Sequence, residues 1–351
     1  MAIGPVQLIV LGFRHPDFHR EIINELERLR KSDTVRVIDA LAVYKDAEGA
    51  VEVEHLSNLT TEEAIELGSK IGALIGLGIE GETGMEAGAA MGAAMTGLRP
   101  VAEIMFSDFF AVCWDLIANE IAKSRYMSDG QVSFPLVIRT ANGAGVRFGA
   151  QHSQSVENWA MAVPGLKVVA PSTPHDVIGL LAAAIRDPDP VLFFEQKSLY
   201  ATKGEIPDSA EIVEPLGRAK VVTEGSDATI LALAAMVPRA VEAAGRLSAE
   251  YGIGCSVVDV RSLVPLDTRT ILTEVAKTGR LFTVEENPRL CGWGAEIVSI
   301  AAEEAFGSLR GPLVRITTPH VPLPAADALE DYVLPSVSRI TETVRKTLED
   351  A

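Results

Sequence analysis

Cysteine is scarce in this chain: 351 residues hold three, Cys113, Cys255 and Cys291, far apart and without a CxxC pair. That spacing excludes a disulfide framework or a thiolate zinc site and reads as buried, reduced thiols in a cytoplasmic protein. Positive charge is scarce as well. Thirty-one Lys and Arg face 48 Asp and Glu, a formal net charge of −17, which argues against nucleic acid and against an anionic membrane surface, since both need clustered cations. Long apolar runs are lacking too. The one membrane-like stretch, residues 71–97, is interrupted by Glu80, Glu82 and Glu86, carboxylates too costly for a bilayer interior. The opening MAIGPVQLIVLGF has no basic region of the kind that starts a secretory signal and reads as a strand.

What is present alternates. Residues 7–13 and 35–44 have the character of strands, 17–31 carries helical spacing, and DAEG at 46–49 turns the chain back into 51–55, so a small α+β module is expected over residues 1–90. Gly68, Gly72 and Gly76, then Gly84, Gly88 and Gly92, recur every four residues. A helix face stripped of side chains permits close backbone approach, and packing explains it better than a phosphate cradle, for which no strand-loop-helix fingerprint is present.

From Arg99 onward, strands at 101–105, 135–140, 166–170 and 191–195 alternate with helices at 109–124 and 174–186. This predicts a parallel sheet wrapped by helices. A polar stretch from 201 to 218 with Pro207 and Pro215 reads as a linker. A second α/β run follows, with strands at 228–234, 254–259, 280–284 and 313–316 and helices at 237–251, 267–277 and 294–305.

Several phrases stand out together: MTGLRPVAEIMFSDFF (95–110), FGAQHSQSVENW (148–159), PGLKVVAPSTPHD (164–176), AAAIRDPDPVLFFEQKSLY (182–200), VVDVRSLVPLDTRTI (257–271) and GRLFTVEENPRLCGWGAEI (279–297). In order and spacing they resemble the β subunits of pyruvate, branched-chain 2-oxoacid and acetoin dehydrogenase decarboxylating components. The resemblance implies an α/β fold in two parts: a transketolase-like pyrimidine-binding domain over 91–200 and a transketolase C-terminal domain over 219–351, with parallel or mixed sheets and flanking helices. It implies thiamine diphosphate as cofactor, shared with an α subunit that holds its Mg²⁺ in an α2β2 heterotetramer, and a lipoyl-bearing acyltransferase as further partner. The chain lacks the GDG-type diphosphate motif, as a β chain of that family does. Residues 1 to about 90 resemble instead a small actinobacterial family of unknown function, with the two texts meeting in GAAMGAAMTG (88–97).

The same resemblance assigns roles. Phe109 takes the place that stacks on the aminopyrimidine ring, where flat aromatic area suits a flat heterocycle. His152, in AQHSQ, takes the place of the histidine facing the channel by which the lipoyl arm arrives, and an imidazole can move protons near neutral pH. A structural potassium ion is implied at main-chain oxygens of Leu136, Ala184, Ile185, Asp187 and Asp189. Helix C-termini expose such oxygens, although the last family position is often Asn. Glu285 and Glu286, in VEENP, have the look of an acid/base pair, but the family places them away from the cofactor, as interface structure. Trp293 and His320 read as structural.

The departure lies upstream. The family's activating glutamate, which hydrogen-bonds the aminopyrimidine N1′, falls on Thr83 when counted back from Gly88-Ala89-Ala90, with Glu82 as its neighbour. A one-residue slip turns a helical side chain by about 100°. Two readings follow. In one the chain is a working enzyme subunit that decarboxylates a 2-oxoacid and acylates a lipoyl group, with Glu82 as the displaced carboxylate. In the other it is a non-catalytic assembly protein that keeps the dimer domain.

Overall fold

The computed structural model describes residues 41–45, 51–55, 69, 72–73, 87–206 and 212–350. Glu82 and Thr83, and most of the expected α+β module, lie outside these. Strands β1 (Leu41–Lys45) and β2 (Val51–His55) pair antiparallel, Val43 opposite Val53, which is the hairpin expected around DAEG. A Cβ added to Gly72 would sit 1.9 Å from the Gly88 carbonyl oxygen. The glycine repeat therefore serves close packing of residue 72 against the helix at 87–95.

The first large sheet runs β10-β5-β6-β4-β3. Its strands are β3 (Val101–Phe106), β4 (Val137–Asn142), β5 (Lys167–Val169), β6 (Val191–Gln196) and β10 (Ser262–Val264). β3, β4, β6 and β5 are parallel. β6, VLFFEQ, is buried along its whole length at the sheet's centre, as a strand covered on both faces must be. Across the expected linker, β10 joins β5 antiparallel, so the sheet is mixed and the second half of the chain completes the first. β3 is an edge strand among the described residues, with Val101 and Met105 exposed.

The segment expected as one helix over 109–124 is instead a 3₁₀ stretch (Ser107–Val112), a π-turn (Leu116–Ile121) and a short α1 (Ala122–Met127). Helix α2 (Glu157–Met161) follows the glycine-rich loop. α3 (Pro174–Arg186) begins where Thr173 caps it, accepting from the Asp176 amide at 3.1 Å, with Pro174 in the first turn. That is the expected use of a hydroxyl cap and an early proline.

The second sheet runs β12-β11-β8-β9-β7, from β7 (Lys220–Thr223), β8 (Ala228–Ala232), β9 (Cys255–Asp259), β11 (Leu281–Pro288) and β12 (Val314–Thr318). It is parallel except for β7. Helices α4 (Met236–Tyr251), α5 (Thr268–Thr278) and α6 (Gly294–Glu304) connect its strands, and α7 (Asp327–Val333) and α8 (Val337–Glu349) close the chain. Left-handed Gly252 and Gly279 end α4 and α5, a conformation glycine adopts without steric cost. One apolar core runs through both halves, from Ile104, Phe110 and Phe194 to Val258, Trp293 and Ile297. Cys113 and Cys255 are buried as expected, but Cys291 is exposed, at φ +57° in the turn before α6. No helix among the described residues is long and apolar enough to cross a membrane.

Candidate active site

β3, β4 and β6 run parallel, so their carboxyl ends, at Phe106, Asn142 and Gln196, share one edge of the sheet. In open α/β sheets that edge is where ligands bind. Each strand there hands over to an irregular segment: the 3₁₀ stretch 107–112, the loop 143–156, and the 197–199 turn.

Aromatic rings gather at this edge. His152 lies parallel to Phe106, with ring centroids 5.3 Å apart and planes 15° from parallel. Phe109 meets both edge-on, at 5.6 Å from Phe106 and 5.5 Å from His152. Phe148, half exposed, abuts Phe106 at 5.7 Å. The structure therefore brings the two expected residues, Phe109 and His152, together. Both stay partly accessible, as a ring that meets a ligand must. The His152 Nδ1 lies 2.5 Å from its neighbour's carbonyl, that of Gln151, which fits an N–H at Nδ1 and leaves Nε2 for other partners.

Beneath the rings lies buried charge. The Lys197 ammonium stands 5.0 Å from the Phe106 centroid and has no hydrogen-bond partner among the described residues. Burial pushes it down from the usual lysine range, and the charges of Asp108, Glu286 and Glu330 oppose that shift. Asp108 uses one oxygen to accept from the Gln154 amide (3.2 Å) and side chain (2.9 Å), while its other oxygen is unpartnered. Asn142 links the segments, accepting from Ser107 Oγ at 2.8 Å and donating to Glu157 at 2.8 Å. Burial raises the Glu157 carboxyl to about 7, and the neighbouring Glu286 charge adds to the rise. A cavity of about 10 Å³ lined by Asn142, Ser155, Glu157, Gln196, Glu286 and Trp293 has the size of a single water and the polar partners to hold one.

The VEENP pair divides. Glu285 is fully buried and accepts from Arg315 (2.8 and 2.9 Å), Thr283 (2.8 Å) and the Gly294 amide (2.9 Å). Glu286 instead crosses between the halves of the chain, accepting from the Ala144 amide at 2.6 Å, Ser155 at 2.9 Å and Gln196 at 2.8 Å. Neither reaches the aromatic cluster as an acid/base pair. Trp293 is core, and His320 is exposed.

The residues expected around potassium lie elsewhere, below the end of α3. Arg99 donates from one nitrogen to the carbonyls of Ile185 (2.8 Å) and Asp187 (3.1 Å). The Leu136 carbonyl accepts from the Val191 amide (3.0 Å), and that of Ala184 from the Asp187 amide (3.3 Å). The Asp189 side chain is held by Arg125 and Lys167. Two of the expected oxygens thus converge on one cationic nitrogen. An open groove of about 830 Å³ nearby, lined by Arg125, Tyr126, Lys167, Asp189 and Pro265 among others, shares no residue with the aromatic cluster.

Comparison with known proteins agrees with the two-part α/β fold. Residues 57–203 match the transketolase pyrimidine-binding domain and residues 217–340 the transketolase C-terminal domain. The chain is 47% identical over 262 residues to the β subunit of acetoin:2,6-dichlorophenolindophenol oxidoreductase of Cupriavidus necator, covering 75% of this chain and 77% of that one. The corresponding Bacillus subtilis subunit is 43% identical over 341 residues, 93% of this chain and 96% of its own. The chain belongs to the 2-oxoacid dehydrogenase E1 β-subunit family. A pyruvate dehydrogenase E1 β subunit of Rhizobium meliloti is 42% identical over 259 residues, 74% of this chain and 56% of its own. Among solved structures, a split-gene transketolase described as an inactive β4 tetramer superposes with a TM-score of 0.61 at 27% identity, over 75% of this chain and 80% of that one. The pyrimidine-domain match starts at residue 57, and the Bacillus alignment spans nearly the whole chain. The family match therefore extends upstream of GAAMGAAMTG (88–97), where the two texts were expected to meet.

Sequence reading missed Phe106, Asp108, Lys197 and Glu330 as parts of this site. The signal for the first two was in FSDFF, a polar pair set among aromatics. Lys197 and Glu330 gave none, because an isolated charge in a polar stretch reads as solvated.

Proposed function

We propose that this chain is the β subunit of a thiamine-diphosphate-dependent enzyme that cleaves a 2-oxoacid or a related acyloin and passes the acyl group to a lipoyl arm. It would act with an α subunit in an α2β2 heterotetramer and with a lipoyl-bearing acyltransferase. The observation that supports this is the His152, Phe106 and Phe109 cluster at the carboxyl edge of a transketolase-type sheet. When bound, the cofactor supplies the carbanion-stabilising chemistry that side chains lack.

The residues present fit a flat heterocycle. Phe109 is partly exposed and packs edge-on against its neighbours, which leaves a ring face for stacking. His152 stands beside it with no Nε2 partner among the described residues, placed to give or take a proton as the acyl group leaves. Glu82 is proposed as the carboxylate that hydrogen-bonds the aminopyrimidine. Mg²⁺ belongs to the α subunit in this reading, and potassium to the oxygens of Leu136, Ala184, Ile185, Asp187 and Asp189. The convergence of Ile185 and Asp187 on the Arg99 cation supports a cation-seeking site there.

The test is reconstitution of the full chain with an α subunit, thiamine diphosphate and Mg²⁺, following oxidation of 2-oxoacids and acetoin with an artificial electron acceptor. Turnover that needs both chains is expected, with Glu82→Gln lowering kcat at least about a hundredfold, as loss of a group acting on proton transfer does. Unchanged turnover in Glu82→Gln removes Glu82 from the mechanism. No turnover with any 2-oxoacid or acyloin rejects the proposal.

A further inference from the structure

The loop that carries His152 is built to be held from outside itself. Between β4 and α2 it has Gly143, Gly145, Arg147 and Gly149 at positive φ. Its own backbone bonds are sparse: Gly143 N donates to Gln154 O (2.9 Å) and His152 N to Gly149 O (3.3 Å). Left-handed glycines make such a segment easy to bend and entropically costly to order.

Two buried carboxylates from the second half of the chain supply the order. The amides of Ala144 and Gly145 are consecutive donors, and they go to different acids. Ala144 N donates to Glu286 (2.6 Å) and Gly145 N to Glu330 (2.7 Å). The second Glu330 oxygen takes Arg147 Nη1 at 2.6 Å. Glu330, on α7, is fully buried, whereas the other acids touching Arg147, Asp327 and Asp331, are exposed. The Ala144 methyl seats with Leu323 and Leu334, from the segment that precedes and follows α7. On its other side the loop is bounded by the end of β6 and the turn after it: a Cβ on Gly143 would strike Gln196 at 2.1 Å, and one on Gly145 would strike Ser198 at 2.7 Å. The loop's far end presents Phe148 and His152 to Phe106.

We propose that Glu330 is a positioning residue for His152: by holding Gly145 and Arg147 it fixes the loop in the form that lays the imidazole on Phe106. Its contact with acyl transfer rests on the proposed function; its contact with the loop does not. Charge-assisted bonds to a buried carboxylate are among the stronger ones a loop can make, and a displacement of about 1 Å at a reacting group can cost up to about a hundredfold in rate.

The test uses Glu330→Gln in the full chain, with Asp331→Asn as the exposed control. His152 modification by diethyl pyrocarbonate, read by peptide mass spectrometry, is expected to change at least about threefold in Glu330→Gln, as expected for a shift of about 0.65 kcal/mol, and to stay at the wild-type rate in Asp331→Asn. In the α-reconstituted enzyme, kcat/KM for a free lipoyl domain is expected to fall about tenfold or more in Glu330→Gln and to stay at the wild-type value in Asp331→Asn. Arg147→Lys, which keeps the charge but loses the fork, provides the same readouts if Glu330→Gln does not fold. A wild-type His152 modification rate in both variants overturns the proposal. A changed modification rate with an unchanged lipoyl step supports the positioning role and removes His152 from acyl transfer.

Discussion

The imidazole of His152 rests nearly parallel on the ring of Phe106, 5.3 Å between centroids, and the Lys197 ammonium lies 5.0 Å from that same ring. One phenyl ring therefore joins a histidine on the glycine-rich 143–156 loop to a buried cation beneath the sheet edge. Such aromatic and cation contacts contribute about 0.5 to 2 kcal/mol each. Phe106→Leu keeps apolar volume and removes the flat face. The expected outcome is a loss of about 1 to 2 kcal/mol of stability in urea, with the ring-current-shifted proton signals of His152 moving toward free-imidazole positions. Signals that stay in place would show that the stacking does not persist in solution.

Stability should fall as pH rises from about 4.5 to about 7, and Glu157 is one named cause. Burial raises its carboxyl from 4.5 to about 7. A carboxyl with a raised folded pKa is uncharged in both states below about pH 4.5, so its contribution is intact there. Above that the unfolded chain ionises first, and the contribution is lost progressively until the folded group ionises near pH 7. At about 1.36 kcal/mol per unit the loss is at most about 3 kcal/mol. Glu157→Gln should flatten this part of the profile between about pH 4.5 and pH 7, measured as urea midpoints at each pH. Buried Asp259, raised to about 7, keeps its own slope in that variant. Identical slopes in wild type and Glu157→Gln would show that Glu157 is not the titrating group.

How much of this was readable beforehand depends on what fixes each feature. Helix α3 was legible to the residue, because Thr173, Pro174 and the DPDP that follows are local stop and start chemistry. So was β6, from its apolar run; the resemblance singled out Phe109 and His152 one by one, and that their rings touch was not legible in it. The break of 109–124 into 3₁₀, π and α pieces was not, since apolar spacing does not separate those helices. β10 was not either: three residues long, it exists only because a strand from the other half of the chain offers Val168 and Val169 as partners. Glu330 looked like any surface acid in ALEDY. Its burial follows from a loop 183 residues away in sequence, through Arg147.

Arg99 and a potassium ion would compete for the same oxygens. Its guanidinium already donates to the Ile185 and Asp187 carbonyls. A ligand that binds only the folded state stabilises by a mass-action term, about 2.7 kcal/mol at a hundred times its Kd. Melting in potassium chloride is therefore expected above melting in choline chloride at equal ionic strength. In Arg99→Ala that difference should widen, because the competitor is gone. If the two salts give the same Tm in both proteins, the oxygens at the end of α3 hold no potassium.

The neighbouring glutamates of VEENP should behave as opposites. Glu285 is saturated within its own domain: Arg315 approaches it with two nitrogens, Thr283 and the Gly294 amide complete it, and Gly294 has no room for a Cβ beside it. Removing one partner of a buried ion pair leaves the other charge uncompensated, at about 3 to 5 kcal/mol. Glu285→Ala is accordingly expected to lower stability by that amount or to prevent folding, while Glu285→Gln, which still fills the space, should cost less. Glu286 reaches Ala144, Ser155 and Gln196 in the other half, so Glu286→Gln should loosen the 143–156 loop while the second sheet stays intact. Amide hydrogen exchange separates the two: faster exchange confined to Ala144 and its neighbours is expected for Glu286→Gln, and faster exchange across β11 and α6 for Glu285→Gln. The reverse assignment would refute this division of roles.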